Sequence, residues 1–207
     1  MSSLPDRMAD HWWWRPGVRP GRRVLVWHIL LDDQPDVREL VRQCQDMVAG
    51  IEGLEPVPAE WLHMTTQVVG FADEISQSEI DAMTGGVAAR LATVGPIEVE
   101  FGTLWIGSEA VMLTVRPPRA LDPVRTAIRE AAAATVAAHR LADEPDWTPH
   151  VSVAYSNAAG PAAPVIAALQ DPPGPRPMTV RRVHLVAQER TGRLYRWVRL
   201  TAVGLGE

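Results

Sequence analysis

The 207-residue chain has no lysine, one cysteine, two tyrosines and two phenylalanines. Each scarcity excludes something. With Cys44 alone, no internal disulfide forms and the usual thiolate clusters for metal are out of reach. Without lysine, every fixed cation is a planar guanidinium able to meet a phosphate with paired hydrogen bonds, although a bias toward GC-rich codons would leave the same mark. No apolar run approaches the roughly 20 residues that span a bilayer. The longest, 131–138, is alanine and Val136 interrupted by Thr135. The opening residues, MSSLPDRMADHWWW, lack the apolar core of a secretory signal, so a cytoplasmic location is expected. HExxH, Walker-type loop, GxGxxG fingerprint and nucleophile elbow are all missing, which disfavours an ATP-driven ligase.

Hydrophobic residues make up 46% of the chain, ample for a packed core, and the net charge of −5 argues against a protein that coats long nucleic acid. The charge is unevenly spread. Segment 7–23 carries Arg7, Arg15, Arg19, Arg22 and Arg23 against Asp10, and segment 181–199 carries Arg181, Arg182, Arg190, Arg193, Arg196 and Arg199 against Glu189. Both ends are locally basic.

Segment 23–31, RVLVWHILL, reads as a buried strand that stops at Asp32-Asp33. A helix follows, with Pro35 in its first turn and Val37, Leu40, Val41, Cys44, Met47, Val48 and Ile51 on one face. Cys44 is therefore core filler rather than a nucleophile. Segment 61–70, WLHMTTQVVG, alternates as a strand. Ser76 opens the next helix, where Glu79 completes a capping box and Ile75 and Ile80 form a hydrophobic staple. Strands at 97–106 and 109–116 are predicted to join at Gly107-Ser108 in a type II′ turn.

From there the order repeats. Asp122-Pro123 starts a helix that buries Val124, Ile128 and Ala131, and a strand follows at 150–155. A shift of 87 residues lays Val24 on Val111, Val37 on Val124, His63 on His150 and Thr65 on Ser152, and it places the helix opened by Ser76 over 163–170. The expected organisation is an N-terminal Trp/Arg-rich arm over 1–22 and one bilobal body over 23–207, made of two β-α-β-α-β halves at about 23–108 and 109–203. DPPGPRP (171–177) reads as a rigid connector into a final hairpin, 179–188 and 194–202, turning near Thr191-Gly192.

Alternate strand residues share a face, so His63 points with Thr65 and His150 with Ser152. A lone strand histidine is usually structural. Two copies of His-x-Thr/Ser at equivalent places in a duplicated unit instead point to a site, because a two-fold axis would set two imidazoles around one small volume. In-line displacement at phosphorus needs one proton taken from the incoming oxygen and one given to the departing oxygen on the opposite side. Imidazole serves either role at neutral pH, and hydroxyls can donate to the non-bridging oxygens. This chemistry needs no metal.

These residues resemble the 2H phosphoesterases, a family that includes bacterial 2′-5′ RNA ligases and cyclic phosphodiesterases and is marked by two His-x-Thr/Ser-x motifs. HMTT (63–66), followed by VVG, is similar to the first motif and HVSV (150–153) to the second. The resemblance, from about 23 to 203, implies an α+β fold with antiparallel sheets lining a central groove. It also implies metal-independent action on 2′,3′-cyclic phosphates or 2′-5′ linkages, with His63, Thr65, His150 and Ser152 catalytic. Two positions depart from the family pattern. Thr66 stands where an apolar residue is usual, and Tyr155 where many members carry an arginine, so that a phosphate contact is absent or supplied by Arg190 or Arg193.

Other residues carry two readings each. HWWWRPG (11–17) is either a lid or base-stacking surface, with Trp14 on a base and Arg15 near the phosphate, or an arm packed on the body. His28 and His184 lie in predicted strands and either could reach the groove, with His28 a candidate substrate contact. His11 and His139 are expected to face solvent. The resulting expectation is a phosphoesterase without metal or cofactor, monomeric, with no membrane partner, whose partner is an RNA end or small nucleotide bearing a cyclic phosphate. A non-catalytic RNA- or nucleotide-binding module is the alternative, and a metal-dependent phosphatase the third possibility.

Overall fold

The computed structural model describes residues 4–137 and 147–206. In chain order the elements are β1 (Arg7–Met8), β2 (Val24–Leu30), α1 (Pro35–Met47), β3 (Leu54–Pro56), β4 (His63–Phe71), α2 (Gln77–Leu91), β5 (Ile97–Ile106) and β6 (Ala110–Arg116). Then come α3 (Asp122–Thr135), β7 (His150–Ser156), β8 (Gly160–Pro161), α4 (Ala163–Ala168), β9 (Arg176–Val180), β10 (Arg182–Thr191) and β11 (Leu194–Gly204). The fold class is α+β, with an antiparallel main sheet.

Local sequence explains much of this. The apolar run of β2 is buried on both faces, and α1 turns Val37, Leu40, Val41 and Cys44 inward. Burial pushes the Cys44 thiol up to about 11, so it stays protonated and inert. The capping box of α2 forms as predicted: Glu79 N donates to Ser76 Oγ at 3.3 Å, and Ser76 N to Glu79 Oε2 at 2.9 Å. Ile75 is buried beneath it. The β5–β6 turn differs from expectation. Gly107 N donates to Ala110 O at 2.9 Å, which centres the turn on Ser108-Glu109, and Gly107 has no positive φ. Tertiary bonds set that turn, since the Ser108 and Glu109 carbonyls accept from Ala9 N and Ser156 N.

The main sheet runs β11-β10-β2-β4-β7-β6-β5-β9, with β3 added beside β7, while β1 pairs with β8. The repeat partners β2 and β6 flank β4 and β7, which meet at one register pair, Met64 with Val151. Those two residues are themselves 87 apart. The local two-fold axis of an antiparallel pair therefore carries 63 onto 150 and 65 onto 152, as the 87-residue repeat predicts, but it lays Ile29 on Leu113, so β2 and β6 superpose three residues away from the predicted match of Val24 with Val111. Outer strands and helices are exchanged between the two arms of the sheet: β5 joins β6, the β10–β11 hairpin joins β2, α1 rests on β7, β5 and β9, and α3 rests on β4.

The strand expected at 179–188 is two strands. β9 pairs with β5 at one end of the sheet, and β10 pairs with β2 in the other arm. Only Arg181 separates them, and two Cα–Cα steps span at most about 7.6 Å, so the sheet must curl until its ends approach. The exposed pair Arg181 and Arg182 interrupts the apolar pattern at this change of partner. No described helix is long and apolar enough to cross a membrane.

Candidate active site

Each histidine motif lies where its strand leaves regular pairing. Trp27 pairs with Gln67 and His28 with Thr65, leaving Thr66 as the extra residue of a bulge. Val111 pairs with Ala154 and Met112 with Ser152, leaving Val153 in the same position of the second strand. Both are the fourth residues of their motifs. A hydroxyl at Thr66 is accommodated because its Oγ1 donates to Trp27 O at 2.8 Å, within the buried ladder. After the Val153 bulge the alternation slips by one, which brings Tyr155 to the face of Ser152.

The two imidazoles are held identically. His63 Nδ1 lies 2.8 Å from Trp61 O, and His150 Nδ1 lies 2.8 Å from Thr148 O. A carbonyl only accepts, so each Nδ1 carries hydrogen and each neutral Nε2 keeps its lone pair. Among the described residues neither Nε2 has a protein partner, and neither belongs to the buried unpartnered atoms that include Nδ1 of His28 and of His184. Both Nε2 atoms are thus accessible and free of protein partners among the described residues. One step either side of the Met64–Val151 pair sets His63 across from Ser152 and Thr65 across from His150, each histidine facing the other motif's hydroxyl.

Burial lowers both histidines. The His63 imidazole is pulled down to about 4, by burial first and by His150 in addition, against the opposing effect of its bond to Trp61. His150 is lowered by burial. Packing supports His63 from behind: the His28 ring lies 4.3 Å from it and the Trp197 ring 4.9 Å, while Trp197 also meets Trp61 at 4.8 Å. On the other side the Trp105 ring stands edge-on to His150 at 5.5 Å.

His28 is corrected from a substrate contact to a support. It has no exposed surface, and its Nε2–H donates to Gln188 Oε1 at 2.9 Å. His184, its cross-strand neighbour, is buried too. Gln188, Trp197 and Trp105 were not singled out in the sequence, where nothing local ties them to the motifs.

The arm packs on the body at Trp12, which is buried, and leaves Trp13 and Trp14 half exposed. Arg190 straps it down by donating to the Trp12 and Trp13 carbonyls and to Gly192 O, with its guanidinium 4.0 Å from the centre of the Trp14 ring. The cation considered for phosphate is thereby largely committed to the arm. Arg193 is exposed at the β10–β11 turn, and Arg15 reaches Tyr195 Oη at 3.4 Å. His11 does not face solvent: it stacks on Tyr155 at 4.2 Å and bonds Glu109 and Tyr195 at 3.2 and 3.0 Å, contacts made between segments far apart in sequence. His139 lies outside the described residues. Tyr155 is buried, and burial pushes its phenol up to about 12. Among the described residues no three His, Cys, Asp or Glu side chains are grouped as a metal site.

A model of the 2′-5′ RNA ligase superfamily matches residues 32–192. No curated protein matches the sequence. The fold is similar to that of E. coli LigT in apo form, with TM-score 0.66 and 20% identity over 90% of this chain and 99% of that one. It is also similar to E. coli LigT complexed with 3′-AMP, with TM-score 0.68 and 20% identity over 90% and 99% of the two chains. A crystal structure of a phosphoesterase matches with TM-score 0.69 and 20% identity over 91% and 100%. At these identities the likeness is one of fold.

Proposed function

Because the chain belongs to the 2′-5′ RNA ligase superfamily, we propose that it is a metal-independent phosphoesterase acting on a 2′,3′-cyclic phosphate or a 2′-5′ phosphodiester of RNA or a small nucleotide. The observation that carries this reading is the matched pair of imidazoles, each fixed through Nδ1 and each open at Nε2. That E. coli LigT binds 3′-AMP and phosphate supports a nucleotide ligand on this fold.

The residues divide the work by position. A neutral imidazole takes a proton at Nε2 from water as the water oxygen bonds to phosphorus, and the opposed imidazolium gives its Nε2 proton to the leaving ribose oxygen as that P–O bond breaks. Each role is worth roughly 10²–10⁴ in rate. Burial keeps both imidazoles neutral in the empty groove at pH 7, and an arriving phosphate anion favours the imidazolium, so binding brings the acid's proton with it. Thr65 and Ser152 donate to the non-bridging oxygens. The Tyr155 phenol, pushed up by burial, keeps its proton at pH 7 on the face it shares with Ser152.

The test is incubation with 2′,3′-cyclic mononucleotides and with 2′-5′-linked dinucleotides, in the presence and absence of EDTA. Turnover that survives the chelator, follows a bell-shaped pH curve and falls at least 10²-fold in His63→Ala and in His150→Ala supports the reading. Binding without product marks a non-catalytic module, loss on chelation marks a metal enzyme, and undiminished turnover in either variant ends the two-histidine mechanism.

A further inference from the structure

His63 and His150 are held alike at Nδ1, but what stands against their rings differs. The two-fold axis that carries Thr65 onto Ser152 also carries their register partners onto each other, His28 on β2 and Met112 on β6. A thioether therefore occupies, in the His150 half, the place that an imidazole takes in the His63 half. Methionine has no proton to gain or lose, whereas an imidazole can become a cation. The His28 ring lies 4.3 Å from the His63 ring at an interplanar angle of 46°, close enough for a charge on one to oppose a charge on the other. His63 can take up a proton readily only while His28 has none to spare.

The surroundings of His28 favour the neutral ring. It has no exposed surface, so water does not solvate a charge there. Its Nε2–H donates to Gln188 Oε1 at 2.9 Å, and its buried Nδ1 makes no hydrogen bond. Burial holds its pKa well below the ordinary histidine value, and His63 and His184 act in the same direction. Among the described residues the titratable groups that act on it are those two, from β4 and β10, both lowered by burial themselves. Glu189, next along β10, belongs to the opposite face of the strand and meets Arg23 at 3.8 Å. Trp197 of β11 completes the packing, 5.4 Å from the His28 ring and 4.9 Å from that of His63. The nature of residue 188 then matters. A carboxylate would orient His28 equally well but would draw a second proton onto the ring, because an adjacent anion favours the imidazolium. The Gln188 amide supplies the bond without the charge.

We propose that Gln188 and His28 are a positioning pair for His63: Gln188 anchors an uncharged imidazole against the His63 ring, which steadies that ring on its bond to Trp61 O and leaves it free to accept a proton when a phosphate arrives. This rests on the phosphoesterase reading and deepens it by making the two histidines unequal. Proton uptake at His150 faces no titratable neighbour at the Met112 position, whereas uptake at His63 depends on one amide two strands away.

The experiment is nitrogen-15 NMR of the labelled histidines at pH 7, with and without inorganic phosphate, alongside turnover of a 2′,3′-cyclic mononucleotide. In wild type, His28 should stay the neutral Nε2–H tautomer throughout while His63 Nε2 takes up a proton as phosphate binds. In Gln188→Glu, a change at a half-buried position with little folding risk, His28 should become an imidazolium. Proton uptake at His63 should then be lost while that at His150 persists, and kcat should fall roughly 10²-fold. Adding His28→Phe, which keeps a flat ring but no titratable nitrogen, should restore uptake at His63 and recover most of the lost kcat, where a purely structural role for Gln188 gives a further loss. An imidazolium at His28 in phosphate-bound wild type, unchanged uptake at His63 in Gln188→Glu, or no recovery in the double variant would overturn the pair and leave the two-histidine reading intact. The expected proton shifts with no turnover by wild type would do the reverse, sustaining the pair and removing the phosphoesterase.

Discussion

Acid should unfold this protein through its histidines before its carboxylates. Burial lowers His63 from an ordinary 6.5 to about 4 and lowers His28, His150, His184 and His11 in the same direction. The unfolded chain therefore binds more protons than the folded one between about pH 6.5 and 4, so the stability held above pH 6.5 is lost as pH falls through that window. For His63 alone the loss is about 2 kcal/mol by pH 5 and approaches about 3 kcal/mol below pH 4. For a domain of this size, about 2 kcal/mol lowers Tm by roughly 4–8 °C. The assay is urea unfolding of wild type and His63→Asn at pH 7 and pH 5, compared as slopes because the substitution shifts the baseline. The variant should lose about 2 kcal/mol less than wild type over that interval. An identical loss in the two proteins would show that the His63 ring is not desolvated, and the neutral-imidazole argument for the groove would fail with it.

Three further outcomes follow from contacts already described. Ser76→Ala removes the side-chain half of the α2 capping box and should cost about 1 kcal/mol in urea unfolding, leaving turnover untouched. Tyr155→Phe deletes the hydroxyl beside Ser152, so kcat should drop roughly tenfold with little change in KM, the pattern of an interaction made chiefly in the transition state. Arg190→Met releases the carbonyls of Trp12 and Trp13, and limited proteolysis should then cut the arm faster than the rest of the chain; equal rates would mean that Arg190 does not hold the arm.

The candidate set was legible in the sequence because the motif is written twice: His63 with Thr65 and His150 with Ser152 share a spacing of 87 that the strand register reproduces at Met64 and Val151. Local signals read well where the physics is local, as at the Ser76–Glu79 cap. They misread where distant partners decide. In residues 176–188 only the exposed Arg181-Arg182 pair marks the change of sheet neighbour, and such a pair does not by itself tell a strand end from a solvent-facing stretch of one strand. The Ser108-Glu109 turn answers to Ala9 and Ser156, and His11 is drawn inward by Tyr155 and Glu109, none of which stands near it in sequence. The indoles of Trp197 and Trp105 reach the histidines from β11 and β5 by the same kind of long-range pairing.

Nitrogen-15 NMR of the labelled histidines during titration with inorganic phosphate addresses the shared groove most directly. The account predicts that Nε2 of His63 and Nε2 of His150 move together with one saturation curve and take up protons as phosphate binds, while both Nδ1 atoms stay protonated throughout. A response from one ring alone, or from neither, would contradict it.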